Sequence, residues 1–205
     1  MNGGTAVICA MQCELDLVKG LGFENCVLSG MGKVNAAIAA TKLIENCRPD
    51  RILSIGVSGS LCPALKECSL VIASACAYHD VFYGFGTEPG QVQGYPRFFE
   101  SDAAMLAAAR EALPEATVGL LICGDQFFVS LDDDARQKAL YPDALAVDME
   151  TAAIAQTCYK AGVPFLAVRI VSDTHNVDQQ ASYDGFWENQ APAAFEAIRP
   201  LLERW

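Results

Sequence analysis

Basic residues are scarce in this 205-residue chain: fourteen Lys and Arg stand against twenty-five Asp and Glu, for a formal net charge of −11. The basic residues are also scattered. Phosphate backbones are held by clustered Lys and Arg, so this balance excludes a nucleic-acid partner. No apolar run reaches the roughly 18 residues of a membrane span, although 52% hydrophobic residues and a mean hydropathy of +0.23 are high for a water-soluble chain. The excess is Ala, Val, Ile and Leu in short runs, which suits buried strands and close-packed helices and predicts no membrane partner. Histidine occurs only twice and without metal-ligand spacing, while Cys9 and Cys13 lack ligand companions, so neither a metal nor a cofactor is expected. A basic leader is missing as well: MNGGTAVICAM runs straight into a strand and does not read as a signal peptide. The nine cysteines are odd in number, widely spaced and embedded in apolar runs. They read as small buried hydrophobes of a reducing cytosol rather than as a disulfide framework, which predicts a cytoplasmic protein. With no flexible linker and no internal repeat, 1–205 is expected to form one domain.

What is present centres on residues 144–173. A strand over 144–147 leads into a tight turn carrying Asp148, Met149 and Glu150, a helix over 151–160 stopped at Gly162, and a second apolar strand over 164–171 ending in Ser172 and Asp173. That is one βαβ unit. Parallel strands buried on both faces read as continuous aliphatic runs, as LAV and FLAVRIV do. Ligands of open α/β sheets sit outside the carboxyl ends of the strands, so Glu150 and Asp173 are predicted at one rim. Arg169 is the one charge inside the second run and needs a partner. Taken singly, these residues read as a helix N-terminal acid, a strand-end turn acid and a structural ion pair. Two carboxylates at one rim with a buried Arg point instead to a site.

The rest of the chain extends the pattern. A strand over 5–10 turns at Met11 into a short helix, placing Glu14 on the same rim. A short strand at 27–28 leads through Ser29-Gly30-Met31-Gly32-Lys33 into an alanine-rich helix over 34–46. The Gly-x-Gly-Lys piece lacks the spacer and the hydroxyl residue of a phosphate loop and reads as a close strand-to-helix turn. A strand over 51–55 precedes Gly56-Val57-Ser58-Gly59-Ser60, whose glycines either let backbone N–H groups approach a ligand closely or merely allow a tight turn. A strand over 70–77 ends at Tyr78-His79-Asp80. The aperiodic, aromatic run 81–99 reads as a binding or interface loop. Ser101 is predicted to cap a helix to Leu113. A strand over 117–123 is followed by Gly124-Asp125-Gln126-Phe127-Phe128, whose phenylalanines suit a planar ligand or a lid over core. A helix over 133–140 and a final helix over 183–203, interrupted by Pro192, complete an α/β domain: three layers, with a mixed central sheet flanked by helices.

These motifs, in this order, resemble the purine nucleoside phosphorylase and nucleosidase superfamily, and within it the 5′-methylthioadenosine/S-adenosylhomocysteine nucleosidases. The resemblance spans about 7–186. It rests on Ala10-Met11-x-x-Glu14, Ser29-Gly30-Met31-Gly32-Lys33-Val34, Gly56-x-x-Gly59, Tyr78-His79-Asp80, Gly124-Asp125-x-Phe127, Val147-Asp148-Met149-Glu150 and Val168-Arg169-x-x-Ser172-Asp173. It implies a homodimer that cleaves the N-glycosidic bond of a small-molecule purine nucleoside through an oxocarbenium-like sugar. By the resemblance, Asp173 is the general acid toward purine N7, oriented by Ser172. Glu14 positions or activates water, with Arg169 ordering both. Glu150 accepts hydrogen bonds from the ribose hydroxyls, and Met149 packs on the sugar. Phe127 stacks on the base while the backbone of Phe128 reads its edge, Ser58 and Gly59 line the glycine stretch, and Met11 and Tyr183 flank the 5′ group. A general acid must carry its proton into the reaction, which favours a dry site or a neighbouring carboxylate.

The chain departs from the family pattern at three places: Val57 replaces a hydroxyl residue, the segment before Ser29 lacks a β-hairpin, and Thr174-His175-Asn176 replaces small apolar residues. A phosphorylase is the nearest rival, but such enzymes carry Arg where this chain has Ser54, and phosphate recognition wants Arg and backbone donors. Other rivals are a nucleosidase for futalosine or an adenosyl lipid precursor and a silent nucleoside-binding protein. The joint presence of Glu14, Glu150 and Asp173 argues against the last.

Overall fold

The computed structural model describes residues 3–84, 86–128, 131–174 and 179–205. The elements run β1 (Thr5–Cys9), α1 (Gln12–Gly20), β2 (Cys26–Leu28), α2 (Lys33–Cys47), β3 (Arg51–Ser60), β4 (Leu70–Tyr78), β5 (Phe99–Glu100), α3 (Ala103–Ala112), β6 (Thr117–Cys123), α4 (Leu131–Leu140), β7 (Ala144–Asp148), α5 (Thr151–Ala161), β8 (Phe165–Asp173), α6 (Gln179–Asn189), α7 (Ala191–Glu196) and α8 (Arg199–Leu202). None of the described helices is long and apolar enough to cross a membrane.

The strands form one mixed sheet in the order β2-β1-β3-β7-β6-β4-β5, with β8 paired to both β3 and β4. Those pairings close a ring through β3, β8, β4, β6 and β7. Alternation along each strand assigns side chains to two faces. Ala6, Ile8, Ala167 and Val171 join Ala36, Ala40 and Leu43 of α2 and Ile154 and Cys158 of α5. Val7, Cys9, Leu166, Val168 and Ile170 join Leu15 and Val18 of α1, Met105 of α3 and the helices at the carboxyl end. Both faces of β1 and β8 are therefore covered, which is why their sequences read as unbroken apolar runs.

Five readings change. β7 and β8 are not the parallel strands of one βαβ unit: β8 runs parallel to β3 and β7 antiparallel to it, because β7 joins the end of β3 beyond its pairing with β1. Residues 56–60 are not a glycine turn but the second half of the ten-residue strand β3. It runs parallel to β8 from Ile52 to Gly59, the register slips between Ser58 and Gly59, and Gly59 and Ser60 also pair antiparallel with Val147 and Ala146 of β7. Such a bulge bends a strand and re-aims its side chains. Asp102, not Ser101, caps α3, accepting from the backbone N–H of Ala104 and Met105, whereas the Ser101 hydroxyl donates to the Ala73 carbonyl at 2.7 Å. The final helix is three short ones, because Pro192 and Pro200 each restart a helix at its first turn. Within the aromatic run, Phe99 pairs with Cys76 in the short strand β5 and is buried. As the sequence predicts, Gly162 ends α5 in the left-handed conformation (φ 68°).

Candidate active site

A cavity opens at the carboxyl ends of β1, β7 and β8. It is lined by Met11, Glu14, Ser58, Gly59, Phe127, Phe128, Met149, Glu150, Ser172, Asp173 and Tyr183, together with Ala10, Met31, Val57, Gln126, Val147 and Asp148. Every predicted site residue except Arg169 is there. The bulge in β3 accounts for the convergence: it slides Ser58 and Gly59 between the ends of β7 and β8, so both carboxylate-bearing ends share one wall.

Glu14 is buried (2% exposed). Its Oε2 accepts from the backbone N–H of Ala10 and Met11, each at 2.9 Å, and its Oε1 from that of Val57 at 2.9 Å. A side chain on Gly56 would place Cβ 2.6 Å from Glu14 Oε1, so glycine is required there for close approach rather than for a turn. Burial pushes the Glu14 carboxyl above its ordinary range, opposed by those backbone donors and by the charge of Arg169. The result is a fixed carboxylate with one Oε1 lone pair left over, the arrangement of a general base.

At the end of β7 two acids divide the work. Asp148 caps α5, its Oδ1 accepting from the backbone N–H of Glu150 (3.3 Å) and Thr151 (3.1 Å). Its Oδ2 receives the Thr151 hydroxyl and Arg169 Nε, the latter at 2.8 Å. Glu150 is thereby released from capping and lines the cavity, where its Oε1 accepts from Gly32 N at 2.7 Å. Burial first, and the Asp148 charge second, push Glu150 up to about 7. On β8, the Ser172 hydroxyl donates to Asp173 Oδ1 at 2.7 Å, and both residues are buried.

Arg169 takes a different place from the one expected. Its five N–H groups go to Asp148, the Ser54 carbonyl and hydroxyl, the Val168 carbonyl and the Thr151 hydroxyl. None is left to bond Glu14. The guanidinium instead borders a second cavity of about 10 Å³ behind the first, together with Glu14, Ser29, Ser54, Gly56 and Glu150. That volume is about the room of one water molecule, and the walls are polar enough to hold one.

Phe127 is half-exposed and meets Tyr183 edge to face, with ring centroids 6.0 Å apart. The Tyr183 hydroxyl reaches Met11 Sδ at 3.5 Å. The Phe128 ring is buried against His79, centroids 5.0 Å apart, leaving its main chain at the cavity. The Ser58 hydroxyl is buried and has no hydrogen-bond partner among the described residues. The connection from α1 to β2 is residues 21–25, with no hairpin. Of the third departure only Thr174 lies within the described residues; His175 and Asn176 lie outside them.

Sequence reasoning missed Asp148, Ser54 and Thr151 as the Arg169 cradle. The signal was present: an isolated Arg in a two-sided strand demands acceptors, and Asp148 ends a neighbouring apolar strand.

Residues 23–203 match the family model of the phosphorylase superfamily. Over 181 residues, 86% of this chain and 79% of the relative, the sequence is 38% identical to a 5′-methylthioadenosine/S-adenosylhomocysteine nucleosidase of Staphylococcus aureus. An S-adenosylhomocysteine nucleosidase from Streptococcus pyogenes, solved in complex with 5-methylthiotubericidin, has a TM-score of 0.90 and 30% identity, covering 99% of this chain and 97% of that one. The 5′-methylthioadenosine/S-adenosylhomocysteine nucleosidase of Neisseria meningitidis, in complex with methylthio-immucillin-A, has a TM-score of 0.90 and 32% identity over 98% and 99% of the two chains.

Proposed function

Because the chain belongs to the phosphorylase superfamily and, within it, to the 5′-methylthioadenosine/S-adenosylhomocysteine nucleosidases, we propose that it hydrolyses an adenine nucleoside bearing a 5′-thioether. 5′-Methylthioadenosine and S-adenosylhomocysteine are the substrates, and adenine and the free thio-sugar the products. The observation that carries hydrolysis is the water-sized cavity beside Glu14. The Arg169 donors that a phosphate would need are all engaged by the protein.

In this reading Phe127 stacks on adenine and the Phe128 main chain reads its edge. Asp173, held by Ser172, gives its proton to N7 as the C1′–N9 bond breaks, so adenine leaves neutral. Glu150 accepts from the ribose hydroxyls over Met149. Glu14 takes a proton from the water that attacks C1′. Arg169 does not bond the water; its charge favours the ionised form of Glu14, while Asp148 and Ser54 keep it in place. Met11, Met31 and Tyr183 offer soft, apolar surface to the thioether, and the Ser58 hydroxyl supplies a further contact at the bulge of β3.

The protein acts as a cytoplasmic homodimer in this reading. The nine free thiols suit a reducing compartment, and Val34, Ile38, Phe82, Tyr83 and Tyr159 are exposed apolar surface. The test is a panel of purine nucleosides with and without phosphate: rapid, phosphate-independent release of adenine from the 5′-thio nucleosides supports the reading. Preference for a hypoxanthine nucleoside, or turnover only with phosphate, overturns it.

A further inference from the structure

Outside the cavity, three loops meet at a charged cluster for which the chemistry above has no use. Asp80, just past β4, presents Oδ2 to Lys33 Nζ at 2.6 Å and to the backbone N–H of Asp125 at 2.9 Å. Asp125, just past β6, accepts the Lys33 backbone N–H at 2.8 Å through Oδ1, and its Oδ2 lies 3.8 Å from Lys33 Nζ. The ammonium also sits 5.6 Å from the centroid of the Tyr78 ring. Lys33 therefore ties the entry of α2 to two other strand ends at once.

Both ends of this knot lead into the site. The residue before Lys33 is Gly32, whose N–H donates to Glu150 Oε1 at 2.7 Å. The residues after Asp125 are Gln126, Phe127 and Phe128, which line the cavity. Gly32 holds φ 90°, and a Cβ there would lie 3.0 Å from Asp125 Oδ1, so the turn fits its clamp closely. As a stability device a partly exposed pair of this kind is worth little. Its geometry has another consequence.

We propose that Lys33, Asp80 and Asp125 form a latch that fixes Gly32 against Glu150 and the 126–128 segment against the cavity, making Lys33 and Asp80 positioning residues that couple the sugar-binding carboxylate to the base-binding loop. This role rests on the nucleosidase reading for its effect on turnover. The effect on Glu150 does not depend on it. The Gly32 N–H favours the carboxylate form of Glu150, so loosening the latch raises the pH at which that group ionises. The other charged groups facing Glu150 are Asp148, Arg169 and Glu14, and all three are untouched by changes at 33 or 80.

The experiment uses the full-length protein and the variants Lys33→Met, Lys33→Arg and Asp80→Ala, each checked for native unfolding temperature. Carboxyl-carbon NMR titration of Glu150 is read first. The latch predicts an upward midpoint shift in both Lys33→Met and Asp80→Ala, with Lys33→Arg near wild type. Charge removal alone predicts opposite signs, upward for loss of the cation and downward for loss of the anion. Opposite signs, or no shift, overturn the latch whether or not the enzyme hydrolyses nucleosides. Steady-state kinetics on 5′-methylthioadenosine follow. KM rises by roughly tenfold to a hundredfold in Lys33→Met, as small misplacements of binding groups do. In a Glu150→Gln background, where turnover collapses, affinity for 5′-methylthioadenosine is read by calorimetry instead, and the same change costs far less of it than in the wild type, as residues acting through one another are not additive. An undiminished penalty in that background contradicts coupling through Glu150. Absence of turnover in the wild type defeats the nucleosidase reading alone.

Discussion

Arg169 Nε lies 2.8 Å from Asp148 Oδ2, with the two side chains 3% and 2% exposed. Burial alone would lower the Arg169 pKa, but Asp148, Glu14 and Glu150 outweigh it, and the net shift is upward. Removing one member of a buried pair costs about 3–5 kcal/mol, because the other is left uncompensated. Arg169→Met is therefore expected to lower stability by that order and to abolish turnover. Asp148→Asn, which keeps an acceptor for Thr151, is expected to lose less. Urea unfolding of both checks the order; equal losses would show that the broken charge pair, rather than the lost hydrogen bonds and shape, governs the site.

Glu150 illustrates a site held against stability. Its value in the fold, about 7, is raised above the ordinary 4.5. For an acid raised on folding, the native state is favoured fully below the ordinary value, and this advantage is lost as pH rises through the folded one. Glu150→Gln keeps the acceptor for Gly32 N–H and removes the charge. It should match wild-type stability near pH 4.5 and exceed it by up to about 3 kcal/mol at pH 8, while turnover collapses for want of a sugar-binding carboxylate. Thermal unfolding across pH 4.5–8 in the absence of ligand is the measurement. If Glu150 binds the sugar as proposed, the same ionisation is expected to make kcat/KM of the wild type fall as pH drops below about 7, read from a pH–rate profile.

Asp173→Asn keeps the Ser172 hydrogen bond and the fold but has no acidic proton for N7. Loss of general acid catalysis costs on the order of a hundredfold to ten-thousandfold in kcat. Binding of adenine, set by Phe127 and the 126–128 segment, should persist in isothermal titration. Near-full turnover by this variant would reassign the general acid.

The aromatic run 81–99 divides. Tyr95 and Phe99 fold back on Tyr159 and the core, and Phe98 covers Tyr141. Phe82 and Tyr83 stand 68% and 59% exposed, and Phe85 lies outside the described residues. Light scattering at micromolar concentration is expected to give twice 21.9 kDa, with Phe82→Asp shifting the mass toward the monomer. A monomeric wild type would make the projecting residues a local lid.

Much of the strand layout was legible because its determinant is local. Two-sided burial makes β1 and β8 continuous apolar runs, which showed where the strands lie; strand direction did not give the rim, because β8 runs parallel to β3 and β7 antiparallel to it, so the ends that carry Glu150 and Asp173 meet tip to tip at Gly59 rather than side by side. The resemblance supplied the roles that spacing could not. What escaped depends on contacts between segments distant in sequence. At the bulge of Ser58 and Gly59, β3 still pairs with β8 while its end also pairs with β7, and nothing within Gly56-Val57-Ser58-Gly59-Ser60 distinguishes that from a turn. The Arg169 cradle draws on Ser54, 115 residues away, and the latch joins residues 33, 80 and 125.

Hydrolysis through a water held beside Glu14 is tested most directly by isotope. Turnover of 5′-methylthioadenosine in ¹⁸O-enriched water containing millimolar phosphate, with the products resolved by mass spectrometry, is predicted to give unlabelled adenine and free methylthioribose carrying ¹⁸O at C1. A sugar 1-phosphate whose yield rises with phosphate would contradict the account.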